Sequence, residues 1–176
     1  GHHATERYGA PAVGEALASH PAIRVRRRAC YLCPIGCTRD TELLDKAGAV
    51  VDRGEGPEFE TVAMFGANLA VYELEPITEA NYLCNRLGLD TISAGGSIAA
   101  LMEIYAVAQA KPAEARTDGE RAVMADAAEF ARACGSAAQV EPGGEPFAPT
   151  FGNARALVPL VRAMAATFRS SWGTIQ

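Results

Sequence analysis

From residue 59 onward the apolar positions recur at intervals of three and four, the period of helices that bury one face. Phe59 to Leu69 opens this region and predicts a helix that weakens at Gly66. Glu75-Pro76 begins a clearer one, because proline suits a first helical turn, where its missing N–H has no partner to lose. Ile77, Tyr82, Cys84 and Leu87 lie on its inward faces, and Gly88 supplies the left-handed residue that closes such helices. Residues 89–93 read as a compact loop leading into a helix over 94–110. Ile98, Leu101, Met102 and Tyr105 form its buried face, and Gly95-Gly96 permits close approach of another backbone. Lys111-Pro112 ends it. Thr117-Asp-Gly-Glu120 has the spacing of a capping box and starts a helix reaching about Cys134. A Pro- and Gly-rich link over 139–151 leads to a last helix over 153–169, interrupted by Pro159.

Before residue 59 the pattern is weaker. Residues 10–19 are a short helical candidate with Val13 and Leu17 on one face. Ile23-Arg24-Val25-Arg26 alternates like a brief strand. Residues 38–52 read as a small hairpin, with Ala47-Gly48 as its turn and Ala49-Val50-Val51 as a strand. Gly54, Gly56 and Pro57 break any regular element, and no strand series is long enough for an independent sheet. The predicted fold class is mainly α: an irregular helical domain with a short hairpin and a loop-borne cysteine site. Gly1-His2-His3 reads as a tag remnant, residues 4–169 as a single α-helical domain and 170–176 as a tail.

A chain of 176 residues, 49 % hydrophobic and 21 % charged, has the material for one globular domain with a core of its own. Its net charge of -5 argues against a general nucleic-acid binder. No unbroken apolar run approaches the roughly 18 residues of a membrane span, and no secretory leader is visible. The five cysteines are an odd number with three crowded together, which is poor disulfide arithmetic and predicts a reducing, cytoplasmic setting.

The crowded three are where the chemistry lies. Cys30-Tyr-Leu-Cys33-Pro-Ile-Gly-Cys37 puts three sulfurs on one short turn. Soft thiolates held so close favour an iron–sulfur cluster or zinc, and three is one short of the four a [4Fe–4S] cluster takes from protein. Cys84 and Cys134 are the other thiols, but both lie in helical, apolar contexts where a core cysteine is ordinary. The fourth ligand is therefore sought outside this chain. Arg24, Arg26, Arg27 and Arg28 lie immediately upstream. They are either a solvated edge or an offset for thiolate charge and a landing place for an anionic cofactor or acidic redox partner.

Four stretches in order are similar to the tungsten-containing aldehyde ferredoxin oxidoreductase family. They are Arg27 to Cys37, Glu55-Gly-Pro-Glu58-Phe-Glu60-Thr61, Leu83 to Ser93 and Ile98-Ala-Ala-Leu-Met102-Glu103; Phe151 to Leu157 adds a fainter likeness. The resemblance implies that Cys30, Cys33 and Cys37 are three ligands of a [4Fe–4S] cluster whose fourth cysteine lies far downstream. It implies that Asn85, Gly88, Leu89 and Asp90 form one of two segments holding a tungsten (or molybdenum) bis-pterin cofactor. Asn85 stands where the family motif has aspartate, an amide that hydrogen-bonds without negative charge. Glu60, or else Glu58, matches a glutamate proposed for proton transfer near the metal. Glu79 matches one that in some members helps hold a metal between subunits, so a homodimer is also allowed. The implied activity is oxidation of a small aldehyde to a carboxylic acid, with electrons leaving through the cluster to ferredoxin. The implied partners are missing N- and C-terminal domains or separate subunits, since such enzymes clasp the cofactor between domains. Two other readings stand beside this one: a non-catalytic electron-transfer or scaffold module completed by a partner chain, and a helical domain with a structural zinc site.

Overall fold

Three antiparallel strands, β1 (Ile23–Arg28), β2 (Thr38–Leu44) and β3 (Val50–Glu55), pair in the order β1-β2-β3. Five helices follow: α1 (Phe59–Phe65), α2 (Leu74–Leu87), α3 (Thr91–Ala110), α4 (Asp118–Ala137) and α5 (Ala154–Gly173). The computed structural model describes the backbone of residues 16–137 and 147–173, with side chains except at 131–137 and 167–173. The tag remnant expected at residues 1–3 and most of the helix expected over 10–19 lie outside the described residues; residues 16–19 are helical.

The architecture is mainly helical, as predicted, but the hairpin supplies two strands of a three-stranded sheet. The Ile23 segment continues through Arg28 and pairs along its whole length with β2, from Ile23 opposite Leu43 to Arg28 opposite Thr38. β3 extends to Glu55, past the glycine read as a breaker. The sheet was hard to foresee because its outward positions are charged: Arg24, Arg26 and Arg28 alternate with Ile23 and Val25, and only the latter face the core.

Gly54 keeps its place in β3 for a steric reason. A Cβ there would stand 2.7 Å from the Tyr82 ring, so glycine lets α2 lie flat on the sheet. Tyr82 is buried, and its hydroxyl meets Thr41 Oγ1 at 2.6 Å, while Asn81 Nδ2 donates to the Glu55 carbonyl at 2.8 Å. Two polar side chains on one face of α2 thus fix the sheet to the helix.

On its other faces α2 joins a single apolar core. Ile77, Cys84, Phe65, Leu69, Ile98, Met102, Leu157 and Val161 are each essentially inaccessible. Gly95 lets α3 approach α1 so closely that a Cβ would stand 2.8 Å from Met64 Cβ; Gly96 meets only ordinary contact. α1 ends at Phe65 and is followed by a short 3₁₀ turn, Ala67–Leu69, which accounts for the weakening at Gly66. α3 begins at Thr91, earlier than the predicted 94, because Asp90 caps it. The capping box at α4 forms as expected: Glu120 Oε2 accepts from Thr117 N at 2.8 Å and Thr117 Oγ1 from Glu120 N at 3.2 Å. α5 continues through Pro159 and on to Gly173, so part of the stretch read as a tail is helical. Proline near the second turn removes only the bond to the Arg155 carbonyl.

By length and composition alone α3 is apolar enough to cross a membrane, which a search for unbroken apolar runs does not register. A core helix meets the same test, and here Ile98, Met102, Tyr105 and Ala108 pack inward.

Candidate functional site: a three-thiol loop and a capped helix corner

Residues 29–37, which hold the three crowded cysteines, are the connection between β1 and β2. Cys33 N donates to the Cys30 carbonyl at 3.0 Å, closing a turn, and Leu32 and Gly36 both adopt left-handed backbone, at φ 56° and 57°. Left-handed geometry is free for glycine but costs a residue with a side chain about 1 kcal/mol; Leu32 adopts it within the Cys30–Cys33 turn while its side chain is exposed. Arg27, near the end of β1, reaches across the loop. Its Nε donates to the Gly36 carbonyl at 2.9 Å and its Nη2 to the Ile35 carbonyl. On the other side, the N–H groups of Gly36 and Ile35 turn toward Cys33 and draw its thiol pKa down. The peptide linking residues 35 and 36 therefore has its oxygen on the Arg27 guanidinium and its N–H toward the Cys33 sulfur. Sequence reading treated Arg27 only as one of a basic run; it is the clamp of the cysteine loop.

The rest of that run is largely neutralised across the sheet. Arg24 pairs with Glu42 at 2.8 Å, and Arg28 with Asp40 at 3.2 Å and Glu55 at 3.7 Å. These residues line a charged cleft of about 490 Å³ on the outer face of the sheet. Pairs this exposed contribute little stability, and the face is mixed in sign rather than a positive patch.

The acidic segment, residues 55–60, runs from the end of β3 to the start of α1. Gly56 N donates to the Arg39 carbonyl at 2.6 Å, holding residues 56–57 beside β2. Glu58 then precedes α1, with its carbonyl accepting from Val62 N at 3.0 Å. Glu58 and Glu60 are exposed. The next residue, Thr61, is buried, and its hydroxyl meets that of Thr91 at 2.8 Å. This pair, which no sequence signal announced, sets the first turn of α1 against the first turn of α3; Glu60 is the exposed residue immediately before it.

At that corner Gly88 adopts the expected left-handed conformation, φ 70° and ψ 30°, and Leu89 N closes on the Cys84 carbonyl at 2.9 Å. Asp90 Oδ2 accepts from Ser93 N at 2.7 Å, and the Ser93 side chain, then this backbone N–H, lower its carboxyl pKa. One of its oxygens is therefore committed to capping α3. Asn85 and Gly88 are exposed beside it. Arg86 leaves the same helical turn in another direction, placing Nη2 2.6 Å from both oxygens of Asp52 and its guanidinium 5.8 Å above the Tyr82 ring.

The remaining candidates separate from these two places. Cys84 is fully buried, and desolvation, then the charge of Asp90, push its thiol up to about 11. It remains a neutral core thiol. The Cys134 side chain lies outside the described side chains. Glu79 pairs with Arg162 of α5 at 3.7 Å, a surface contact between helices. An apolar groove of about 460 Å³ between α3, α4 and α5 contains none of the predicted site residues.

Among the described residues, no group of three His, Cys, Asp or Glu side chains is arranged to hold a metal ion. The donor chemistry of the loop nevertheless suits a thiolate-ligated group: Cys30 and Cys37 are exposed, Cys33 is half-buried, and all three thiols are free. The loop is an open set of donors and not a closed cage. Arg39, which also donates to the Cys37 carbonyl at 3.4 Å, and the Gly56 bond link it to the acidic segment; among the described residues no hydrogen bond joins the loop directly to the α2–α3 corner.

The thiol-bearing connection and the glycine-aspartate helix corner stand on one helical core, and the comparisons say which family shares this segment. The family described as "Aldehyde ferredoxin oxidoreductase, domains 2 & 3" matches residues 3–169. The chain belongs to the aldehyde ferredoxin oxidoreductase family. A tungsten-containing aldehyde ferredoxin oxidoreductase of Pyrococcus furiosus is 49 % identical over 92 residues, 52 % of this chain and 14 % of that protein. The enzyme of the same description from Thermococcus kodakarensis is 46 % identical over the same shares. An "aliphatic sulfonate oxidoreductase, WOR-like subunit" of P. furiosus is 34 % identical over 77 residues, 43 % of this chain and 12 % of its own length. The match thus spans about a seventh of these relatives.

Proposed function

We propose that this chain is a cluster-bearing module of a larger oxidoreductase, completed by further domains or a partner chain, and not a self-sufficient catalyst. The observation that supports this best is the loop itself: three free thiols on one hairpin connection, with Cys84 sealed in the core. A cluster needing four protein ligands would take three here, Cys30, Cys33 and Cys37, and a fourth from elsewhere. Asn85 and Gly88, both exposed, and the half-buried Leu89 would contact one side of a bis-pterin bearing tungsten or molybdenum, with Asp90 holding the corner rigid. Glu60, one residue before the Thr61–Thr91 pair, would take up and release a proton at its carboxylate, with Glu58 as the alternative. When bound, the cluster and the metal–pterin group supply the electron chemistry, while the protein positions and tunes them. In the assembled protein the reaction would be oxidation of an aldehyde to a carboxylic acid with ferredoxin as acceptor. A relative named for aliphatic sulfonates matches 77 residues of the chain at 34 % identity, so the match alone does not name the substrate.

Anaerobic reconstitution of the 176-residue chain, followed by iron counting and EPR, tests the module reading. Fewer than four irons surviving gel filtration is expected. A stable four-iron cluster lost on Cys84→Ala or Cys134→Ala would mean the chain supplies all its ligands. For the assembled protein, aldehyde-dependent viologen reduction with tungsten quantified in the same sample is expected, and Glu60→Gln should lower turnover more than metal content.

A further inference from the structure

Arg27 and Arg39 stand directly opposite each other, each one residue in from the strand end that flanks the cysteine loop. Like charges in that position repel, and neither arginine has a carboxylate partner among the described residues. Both turn to the loop instead. Arg27 donates to the carbonyls of Ile35 and Gly36, and Arg39 Nη1 to that of Cys37 at 3.4 Å. Consecutive carbonyls from 35 to 37 thus accept from two guanidinium groups whose charge no acid offsets. Gly36 permits the approach, since a Cβ there would stand 3.1 Å from Arg27 Nε.

Across a trans peptide the C=O and N–H point in opposite directions, and the loop holds no cis bond. Drawing the Ile35 carbonyl onto Arg27 therefore sends the Gly36 N–H the other way, to the side of the Cys33 sulfur. Hydrogen bonds to the sulfurs and local net charge are two levers on the reduction potential of a thiolate-held cluster. We propose that Arg27 and Arg39 are positioning residues that raise the potential of the cluster bound by Cys30, Cys33 and Cys37. Arg27 does so by aiming peptide N–H groups at Cys33, and both do so by setting positive charge against the loop backbone. This rests on the module reading above and adds residues outside the ligand set that control electron transfer at that site. The rest of the basic run is not placed to do this. Arg24 and Arg28 are spent on carboxylates, and Arg26 lies with them on the outer face of the sheet.

The test uses the protein that carries this segment, purified anaerobically from its native host, with the one-electron couple of the cluster followed by EPR during dithionite titration. At one fixed potential, Arg27→Gln should lower the ratio of reduced to oxidised cluster about tenfold, equivalent to about 59 mV for one electron. Arg39→Gln, which loses one longer bond, should lower it about threefold. Arg27→Lys keeps the charge but cannot fork across two carbonyls, and should also lower it about threefold. Arg26→Gln removes equal charge from the outer face and should change it less than about twofold. Iron is counted in every sample, and if Arg27→Gln holds none, Arg27→Lys and Arg39→Gln decide the question. Unshifted potentials in iron-loaded Arg27 and Arg39 variants overturn the proposal while leaving the module reading in place. A shift for Arg26→Gln as large as that for Arg27→Gln also overturns it, because charge alone would then suffice. A wild-type protein without iron takes down the module reading and this assignment together.

Discussion

The cysteine loop and the α2–α3 corner are both short connections, yet they are finished to different degrees. At the corner Gly88 takes the left-handed turn without strain, Leu89 closes on Cys84, Asp90 caps α3, and Thr61 and Thr91 lock the neighbouring helix starts together. In the loop a leucine takes the left-handed position, three large apolar side chains face water, and the thiols stand apart. The corner is closed by its own bonds; the loop is held by Arg27, by the Cys30–Cys33 turn and by Arg39, yet leaves Tyr31, Leu32, Ile35, Cys30 and Cys37 exposed. One connection is closed and polar-capped; the other leaves apolar and thiol side chains exposed.

Substitutions can break or sharpen that contrast. The largest effect is expected where the sheet rests on α2: Tyr82→Ala should cost about 3–5 kcal/mol in chemical denaturation by emptying a buried site and orphaning Thr41. A loss under about 1 kcal/mol would mean that the sheet is held some other way. At the corner, Gly88→Val should cost about 1–2 kcal/mol, because a branched residue resists left-handed backbone. Thr61→Val should cost about 1 kcal/mol through its hydroxyl pair. In the loop the sign reverses: Leu32→Gly should leave denaturation stability unchanged or raise it by up to about 1 kcal/mol, by relieving strain. A marked loss there would show that Leu32 is already packed. The smallest effect concerns acid. The carboxyls of Asp52, where the Arg86 bonds outweigh partial burial, and of Asp90, through Ser93, are lowered on folding. Their contribution is complete above the ordinary carboxylate pKa of about 4 and is lost as pH falls through the lower folded values. Melting curves between pH 7 and 2 for Asp52→Asn with Asp90→Asn should show a flatter acid limb; an unaltered limb would remove both groups from the acid response.

The helices were legible because their signals are local. Gly88, the Thr117–Glu120 box and the apolar spacing of α2 each act within a few residues, and each formed. The β2–β3 hairpin was legible too, but the pairing of β1 onto it was not, since that joins Ile23 to Leu43 across twenty residues and the exposed face is charged. Gly54 was misread for the same reason: a glycine in a strand can mark a break or a close approach, and only Tyr82, far along the chain, decides which. Within the candidate site the thiol spacing was visible, but the Arg27 clamp was not, because a basic run says nothing of which member turns toward the loop.

Helix α2 also serves as a ruler. It meets the sheet at Asn81 and Tyr82, and its last residue hands over to Gly88 at the corner. Six or seven helical residues separate those points, roughly 10 Å at 1.5 Å per residue. One residue added there would move the corner by about 1.5 Å and swing it through about 100° relative to the sheet that holds the thiols. The turn between β2 and β3, where Asp45 Oδ1 accepts from Ala47 N at 2.8 Å, points to solvent and fixes no such interval. Length variation among natural versions of this segment should therefore gather at that turn and be absent between Asn81 and Gly88.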